Sequence, residues 1–136
     1  MLKLNERILS YQELSKSIMT NIKSDSIIYY KSSCITCKKT LSEIDRMKID
    51  IQKRDFFKEP FSEGELKKIV KLSGLNPIEL LRKRDKMYKE LKLDSTKQSE
   101  SQIIKLMIKY PGLIKRPIII KQNKTHVGKI DVKNLK

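Results

Sequence analysis

Residues 26–39 read SIIYYKSSCITCKK, and this stretch decides the fold. Its first part, residues 27–30, is an apolar and aromatic run that predicts a buried strand. The serines at positions 32 and 33 then interrupt the strand and can cap a helix. From residue 36 to about residue 48, apolar side chains recur on one helical face. A strand is therefore followed at once by a helix, and the two cysteines lie at the junction.

Beyond this junction, the sequence predicts a second strand, a helical insert and a hairpin. Residues 49–57 are expected to form the second strand, and the strand–helix–strand unit is short enough to be one parallel crossover. Residues 60–112 form the insert. Its helices are predicted to begin near Ser62, Asn76 and Ser99, each of which is a good capping residue. Residues 118–120 and 125–127 flank a polar turn and indicate a hairpin.

The length of 136 residues is typical of a single domain. Residues 1–25 form an N-terminal extension whose apolar spacing predicts a short amphipathic helix, so the domain itself is expected over residues 26–136. No run approaches the ~20 apolar residues of a membrane span, and the first residues lack a secretory signal pattern. These features predict a cytoplasmic protein that contacts no membrane, in a compartment where thiols are kept reduced.

The formal net charge of +15 is concentrated towards the end of the chain. Residues 104–136 carry nine basic side chains and one acidic side chain. Such a segment can attract an anionic partner or substrate, although lysines spaced among apolar positions can also simply solvate a surface. Direct contact with nucleic acid is not expected, because no base-reading helix or stacking platform is visible.

The motif Cys34-Ile35-Thr36-Cys37 predicts thiol–disulfide chemistry. The start of a helix offers unpaired N–H groups and a partial positive charge, which stabilise a thiolate and lower the pKa of Cys34. Lys38 adds positive charge and is expected to support this thiolate. Cys37 lies one turn further on and can form a disulfide with Cys34. Cys34 is therefore expected to be the nucleophile, and Cys37 the resolving thiol.

Two other interpretations of the cysteine pair stay open at this point. A structural zinc site needs about four nitrogen or sulfur ligands. The chain has two cysteines and one histidine, His126, so such a site would need carboxylates or a second chain, and no metal is expected. Alternatively, both cysteines are ordinary buried residues. A CxxC motif between a strand and a helix favours the redox interpretation, and His126 is expected to be structural.

Four blocks of this sequence resemble the arsenate reductase (ArsC)/Spx family, whose fold is thioredoxin-like with a helical insert. The blocks are IIYYKSSCITCKK (27–39), DFFK (55–58), NPIELLR (76–82) and GLIKRPI (112–118). The resemblance covers residues 26–130. It implies an α/β, thioredoxin/glutaredoxin-like fold with a mixed four-stranded sheet, a helical insertion between strands 2 and 3, and a cis peptide bond at Pro117. The C-terminal helix usual in the family is expected to be shortened.

The resemblance also implies an oxyanion site. In arsenate reductases of this type, a cysteine thiolate attacks arsenate while three arginines hold the oxyanion. Cys34 matches the nucleophile, and Arg82 and Arg116 match two of the arginines. The third position falls at Lys129, which supplies charge without a bidentate fork. A family histidine shortly before the cysteine falls at Tyr30.

Two functions follow from the resemblance. The first is an enzyme that reduces arsenate or a related oxyanion, with no bound cofactor and with an external thiol donor such as glutaredoxin, thioredoxin or glutathione. The second is an Spx-like regulator, in which the CxxC motif is a redox switch and the protein binds the α subunit of RNA polymerase. The presence of Cys37 is more like the Spx branch, and we rank the reductase first by a modest margin.

Overall fold

The computed structural model describes residues 26–135, so the helix predicted over residues 1–25 lies outside the described residues. The strands are β1 Ser26–Tyr30, β2 Gln52–Asp55, β3 Ile118–Lys121 and β4 Lys124–Val127. The α-helices are α1 Ile35–Arg46, α2 Glu63–Ser73, α3 Lys86–Glu90 and α4 Glu100–Lys109. Short 3-10 helices span Pro77–Leu80, Pro111–Leu113 and Val132–Leu135.

The four strands form one mixed sheet in the order β2-β1-β3-β4. Strands β1 and β2 are parallel and are joined by the crossover helix α1, whereas β1/β3 and β3/β4 are antiparallel. Strands β3 and β4 form the predicted hairpin. Its two turn residues, Gln122 and Asn123, both have positive φ angles, as a tight hairpin turn requires. The predicted sheet, with the insert between the second and third strands, is confirmed.

The two faces of the sheet carry two separate cores because side chains alternate along each strand. Ile28 of β1 lies opposite Ile119 of β3, and both pack with Ile44 of α1. Their sequence neighbours Tyr29 and Ile118 pair on the other face and pack against the helical insert. Helix α1 therefore covers one face, and the insert covers the other.

The C-terminal part of the described chain is a single 3-10 turn, Val132–Leu135. Val132 and Leu135 are buried and belong to the same core as Ile44. A shortened C-terminal helix was expected, and this one turn still covers part of the α1 face of the sheet.

Local hydrogen bonds explain where the insert helices begin. The hydroxyl of Ser62 accepts from the backbone N–H of Glu65, whose carboxylate accepts from the backbone N–H of Ser62. Ser99 forms the same reciprocal capping box at the start of α4, so both predicted helix starts are confirmed. None of the helices within residues 26–135 has the length and apolar character needed to cross a membrane.

Two predicted elements differ from the structure. Asn76 caps a 3-10 helix, Pro77–Leu80, instead of a longer α-helix. The chain leaves helical geometry there because Leu81 forms an antiparallel bridge with Ile114. The second strand spans Gln52–Asp55, whereas residues 49–57 were predicted. It ends at Asp55 because the Asp55 carboxylate accepts hydrogen bonds from the backbone N–H groups of Phe57 and Lys58, two and three residues later, and so turns the chain.

Candidate functional site

Cys34 is the N-cap residue of α1. The serines at 32 and 33 were predicted to cap this helix, but they precede the cap and lie in a turn, where the backbone N–H of Cys34 donates to the carbonyl of Lys31 at 3.0 Å. The carbonyl of Cys34 then accepts the first helical hydrogen bond, from the N–H of Lys38 at 2.9 Å. The sulfur of Cys34 is thereby set at the positive end of the helix dipole.

The two cysteines are free thiols with opposite pKa shifts. Partial burial alone would raise the pKa of Cys34, but hydrogen bonds from the backbone N–H and thiol of Cys37, and from the guanidinium of Arg116, lower it below the ordinary value. Burial of Cys37, with the neighbouring Cys34 thiolate, raises the pKa of Cys37 to about 12. The pair therefore consists of a half-exposed cysteine whose ionised form is favoured and a buried cysteine whose thiol donates to it.

Arg116 is held against Cys34 by its own loop. Its Nη1 donates to the carbonyl oxygens of Gly112, at 3.2 Å, and Ile114, at 3.4 Å. The guanidinium carbon lies 5.6 Å from the ring centroid of Phe57, a cation–π contact. The peptide bond between Arg116 and Pro117 is cis, as the resemblance implied.

Arg82 reaches the same loop from the other side of the site. Its Nη1 donates to the Gly112 carbonyl oxygen at 3.3 Å and lies 3.6 Å from Oδ1 of Asp85. Burial and the charge of Arg116 lower the pKa of Arg82, while the charges of Asp85 and Cys34 act in the opposite direction. An arginine stays protonated under such influences, so two cations lie near the Cys34 sulfur.

The bridge between Leu81 and Ile114 explains why the two arginines meet. The backbone N–H of Arg82 donates to the carbonyl of Leu113 at 2.7 Å, and the N–H of Lys115 donates to the carbonyl of Leu80 at 2.8 Å. These backbone hydrogen bonds join the segment after the first 3-10 helix to the segment before β3. The arginines are therefore fixed by main-chain pairing.

Lys38 and Lys129 lie outside this cluster, further along α1. Both line a groove that runs along α1, which we call the α1 groove, together with Lys39 and Ile35. The groups that lower the pKa of Cys34 by contact are Cys37 and Arg116. The structure thus brings Cys34, Cys37, Arg82 and Arg116 together, and it places the two lysines on the helix flank.

Three residues at the site were not singled out from the sequence: Asp85, Gly112 and Phe57. Asp85 pairs with Arg82, and its other oxygen accepts the backbone N–H of Met87 at 3.0 Å, which caps α3. Gly112 lies against the side chain of Asp85: a Cβ built at Gly112 would come within 2.8 Å of the Asp85 carboxylate. Phe57 and Gly112 belong to blocks that carry the family resemblance, which was the available signal for them.

No group of three or more histidine, cysteine, aspartate or glutamate side chains within residues 26–135 is arranged to hold a metal ion. His126, the single histidine, is half-buried in β4 opposite Ile119 of β3.

A family model, proteins of known sequence and solved structures were found to be similar to this chain. Residues 29–132 match the model of the ArsC family. The protein named global transcriptional regulator Spx in Listeria innocua is 32% identical over 101 residues, which cover 74% of this chain and 77% of that protein. The Bacillus subtilis protein of the same name is 29% identical over 101 residues, with the same coverage.

A solved structure shows the same fold. The arsenate reductase from Vibrio cholerae has a TM-score of 0.69 and 28% sequence identity, and the match covers 76% of this chain and 88% of that chain. The chain is therefore similar both to proteins named as regulators and to a protein named as an enzyme.

Proposed function

Because the chain belongs to the ArsC family, we propose a thiol–disulfide redox function for it. In this proposal, the chain reduces arsenate or a related oxyanion through Cys34. The proposal depends most on one observation: the Cys34 thiolate faces two guanidinium groups, and one of them keeps an open donor. The Nε of Arg116 is buried and has no hydrogen-bond partner within residues 26–135. An oxyanion bound at Cys34 would supply the missing acceptor, which a buried donor normally requires.

The reaction uses the two opposite pKa shifts. The Cys34 sulfur bonds to arsenic, and Cys37 then attacks the Cys34 sulfur. The disulfide forms as the sulfur–arsenic bond breaks, and that electron pair stays on arsenic, so As(V) becomes As(III). One arsenic oxygen leaves as water and takes up the two protons that the thiols lose. Cys37 must give up its proton late, in agreement with its raised pKa.

The proposed enzyme needs no bound cofactor. The Cys34–Cys37 disulfide that each turnover produces would be reduced by an external thiol donor, such as thioredoxin, glutaredoxin or glutathione. A third anion contact from Lys129 and thiolate support from Lys38 stay predictions. We place neither lysine in the reacting centre, which we define as Cys34, Cys37, Arg82 and Arg116.

The experiment is reduction of arsenate by the purified full chain, with thioredoxin and its reductase as electron source. We expect NADPH oxidation that depends on arsenate and is abolished in Cys34→Ser. The same chain with Arg116→Gln should show a higher KM for arsenate, because a charge-assisted contact is lost. A rate that is unchanged in Cys34→Ser would contradict the proposal.

A second function, a redox-sensing regulator that binds the α subunit of RNA polymerase, is favoured by the similarity to the Listeria protein named Spx. In this alternative, the same cysteine pair acts as a switch instead of a catalyst. Pull-down with purified α subunit, with the chain reduced and oxidised, tests it. Affinity that differs between the two states supports the regulator, and absence of binding in both states contradicts it.

A further inference from the structure

The α1 groove includes Ile35, the residue that follows Cys34 in the chain, and takes no part in the chemistry proposed above. It has a volume of about 710 Å³ and is lined by Ile35, Lys38, Lys39, Glu43, Lys129 and Ile130. Its size is within the range of ~300–1,000 Å³ that is typical of ligand-binding clefts. The groove is open to solvent, so it can receive a segment of another protein.

Ile35 is the exposed apolar side chain of this groove, which Ile130 also lines. It lies between Cys34 and Cys37 in the chain, and 73% of its surface is exposed. The structure records one other large exposed hydrophobic residue within residues 26–135, Ile78, at 37%. An exposed apolar side chain beside a reactive sulfur gains free energy when a partner covers it.

The charge around Ile35 is strongly positive. Lys38, Lys39 and Lys129 all line the groove, and within residues 26–135 none of them is in an ion pair. The single acidic residue of the lining, Glu43, lies 3.9 Å from the guanidinium of Arg46. Three cations are therefore free to attract negative charge towards Cys34.

We propose that the α1 groove docks an acidic polypeptide segment that carries the disulfide or thiol partner of Cys34. An apolar side chain of this segment covers Ile35, and its carboxylates meet the three lysines. A polypeptide fits this surface better than a nucleic acid because the partner must cover an isoleucine and must bring a sulfur atom to Cys34. The inference rests on the proposed redox function and adds the chemistry of the protein partner.

This surface would promote thiol–disulfide exchange between Cys34 and the partner. The Cys34 thiolate attacks a partner disulfide, and one partner thiolate leaves. Cys37 then loses its proton and attacks the Cys34 sulfur, which releases the second partner thiolate. The chain is oxidised to the Cys34–Cys37 disulfide, and the partner disulfide is reduced to two thiols. The same steps in reverse let a partner dithiol reduce the Cys34–Cys37 disulfide that the proposed reductase forms, with the partner oxidised to its disulfide.

The test uses the reduced full chain and synthetic peptide disulfides. One peptide has leucine next to its cysteine and glutamates around it, and a second has glutamines in place of the glutamates. The rate of Cys34–Cys37 disulfide formation is measured by stopped flow and mass spectrometry. At low salt we expect the glutamate peptide to react about tenfold faster, and the advantage should shrink as ionic strength rises.

Two matched variants separate the groove from the arginines, which also attract acidic peptides. Lys39→Glu places a negative charge in the groove, and Lys105→Glu makes the same change on an exposed position of α4. We expect Lys39→Glu to lower the ratio of the glutamate-peptide rate to the glutamine-peptide rate several-fold, and Lys105→Glu to lower this ratio less. Equal effects of the two variants would overturn the docking proposal.

A third variant tests the apolar contact. Ile35→Thr keeps the branched shape but removes apolar surface, so it should reduce the preference for the leucine peptide over a matched glycine peptide. An unchanged preference would overturn the role of Ile35. Failure of Cys34 to react with any peptide would contradict the redox function itself, and it is therefore distinguishable from failure of the docking proposal.

Discussion

Arg82 and Arg116 donate to the same acceptor, the carbonyl oxygen of Gly112, at 3.3 and 3.2 Å. Two guanidinium groups that share one acceptor are close enough to repel each other. The shared carbonyl dipole, the carboxylate of Asp85 and the negative charge of an ionised Cys34 reduce that repulsion, although the pKa of Arg82 stays lowered by burial and by Arg116. The position of one peptide group in the loop before β3 therefore controls where both cations point.

The first prediction concerns the reactivity of Cys34. Because hydrogen bonds from Cys37 and Arg116 lower its pKa, alkylation by iodoacetamide should reach half of its maximum rate at a pH below that of an ordinary cysteine. Cys37→Ala removes the thiol donor and should raise this midpoint. A midpoint in Cys37→Ala equal to that of the original chain would contradict the assigned hydrogen bond.

The second prediction compares the two arginines. Arg116→Gln removes both a hydrogen bond and a charge from Cys34, whereas Arg82→Gln removes a charge alone. Both variants should raise the pKa of Cys34, and Arg116→Gln should raise it more. The pH dependence of alkylation measures both, with Lys105→Gln on the exposed face of α4 as control. An equal or reversed order would show that Arg116 does not contact the thiolate in solution.

The third prediction concerns Gly112. In Gly112→Ala the new Cβ would come within 2.8 Å of the Asp85 carboxylate, so Asp85 and with it Arg82 must move. We expect a loss of about 1–3 kcal/mol in the free energy of unfolding, typical of overpacking, together with weaker arsenate binding.

Gly64→Ala is the matched control for Gly112→Ala. Gly64 is in α2, and a Cβ there would meet nothing closer than the Ser62 hydroxyl at 4.0 Å. Because alanine favours the helix, this variant should be stabilised by roughly 0.5–1 kcal/mol. Urea unfolding of both variants checks the contrast, and a neutral effect of Gly112→Ala would be inconsistent with the close contact.

The fourth prediction concerns acid stability. Burial would raise the pKa of Asp55, but hydrogen bonds from the backbone of Phe57 and from Ser32 outweigh it and lower the pKa below the ordinary value. A carboxyl whose pKa is lower in the folded state stabilises the fold above its unfolded pKa of about 3.9, and this contribution is lost as pH falls through the folded pKa.

Asp55→Asn should therefore cost about 1–3 kcal/mol at pH 7, and its difference from the original chain should narrow as the pH falls below 4. Thermal unfolding between pH 7 and pH 3 measures this trend. Asp50→Asn, at an exposed position, serves as the control and should have little effect at either pH. A deficit for Asp55→Asn that is constant with pH would contradict the charged role of Asp55.

Much of the fold could be predicted because it depends on short-range patterns. The strand before the cysteines, the capping boxes at Ser62 and Ser99, and the final hairpin are all local features that the structure confirms. The end of β2 was placed too late, because the turn that ends this strand depends on hydrogen bonds from residues after Asp55 to its own carboxylate. An apolar pattern that includes Phe56 and Phe57 does not show such a turn.

The sequence by itself determined that a CxxC motif follows a strand and starts a helix, because these elements arise from neighbouring residues. Only the tertiary structure decided which cations meet the Cys34 sulfur. The bridge between Leu81 and Ile114 sets Arg82 and Arg116 at the site, and it leaves Lys38 and Lys129 along the flank of α1. The packed chain likewise decided the opposite pKa shifts of the two cysteines: burial raises the pKa of Cys37, whereas hydrogen bonds from Cys37 and Arg116 outweigh burial and lower the pKa of Cys34.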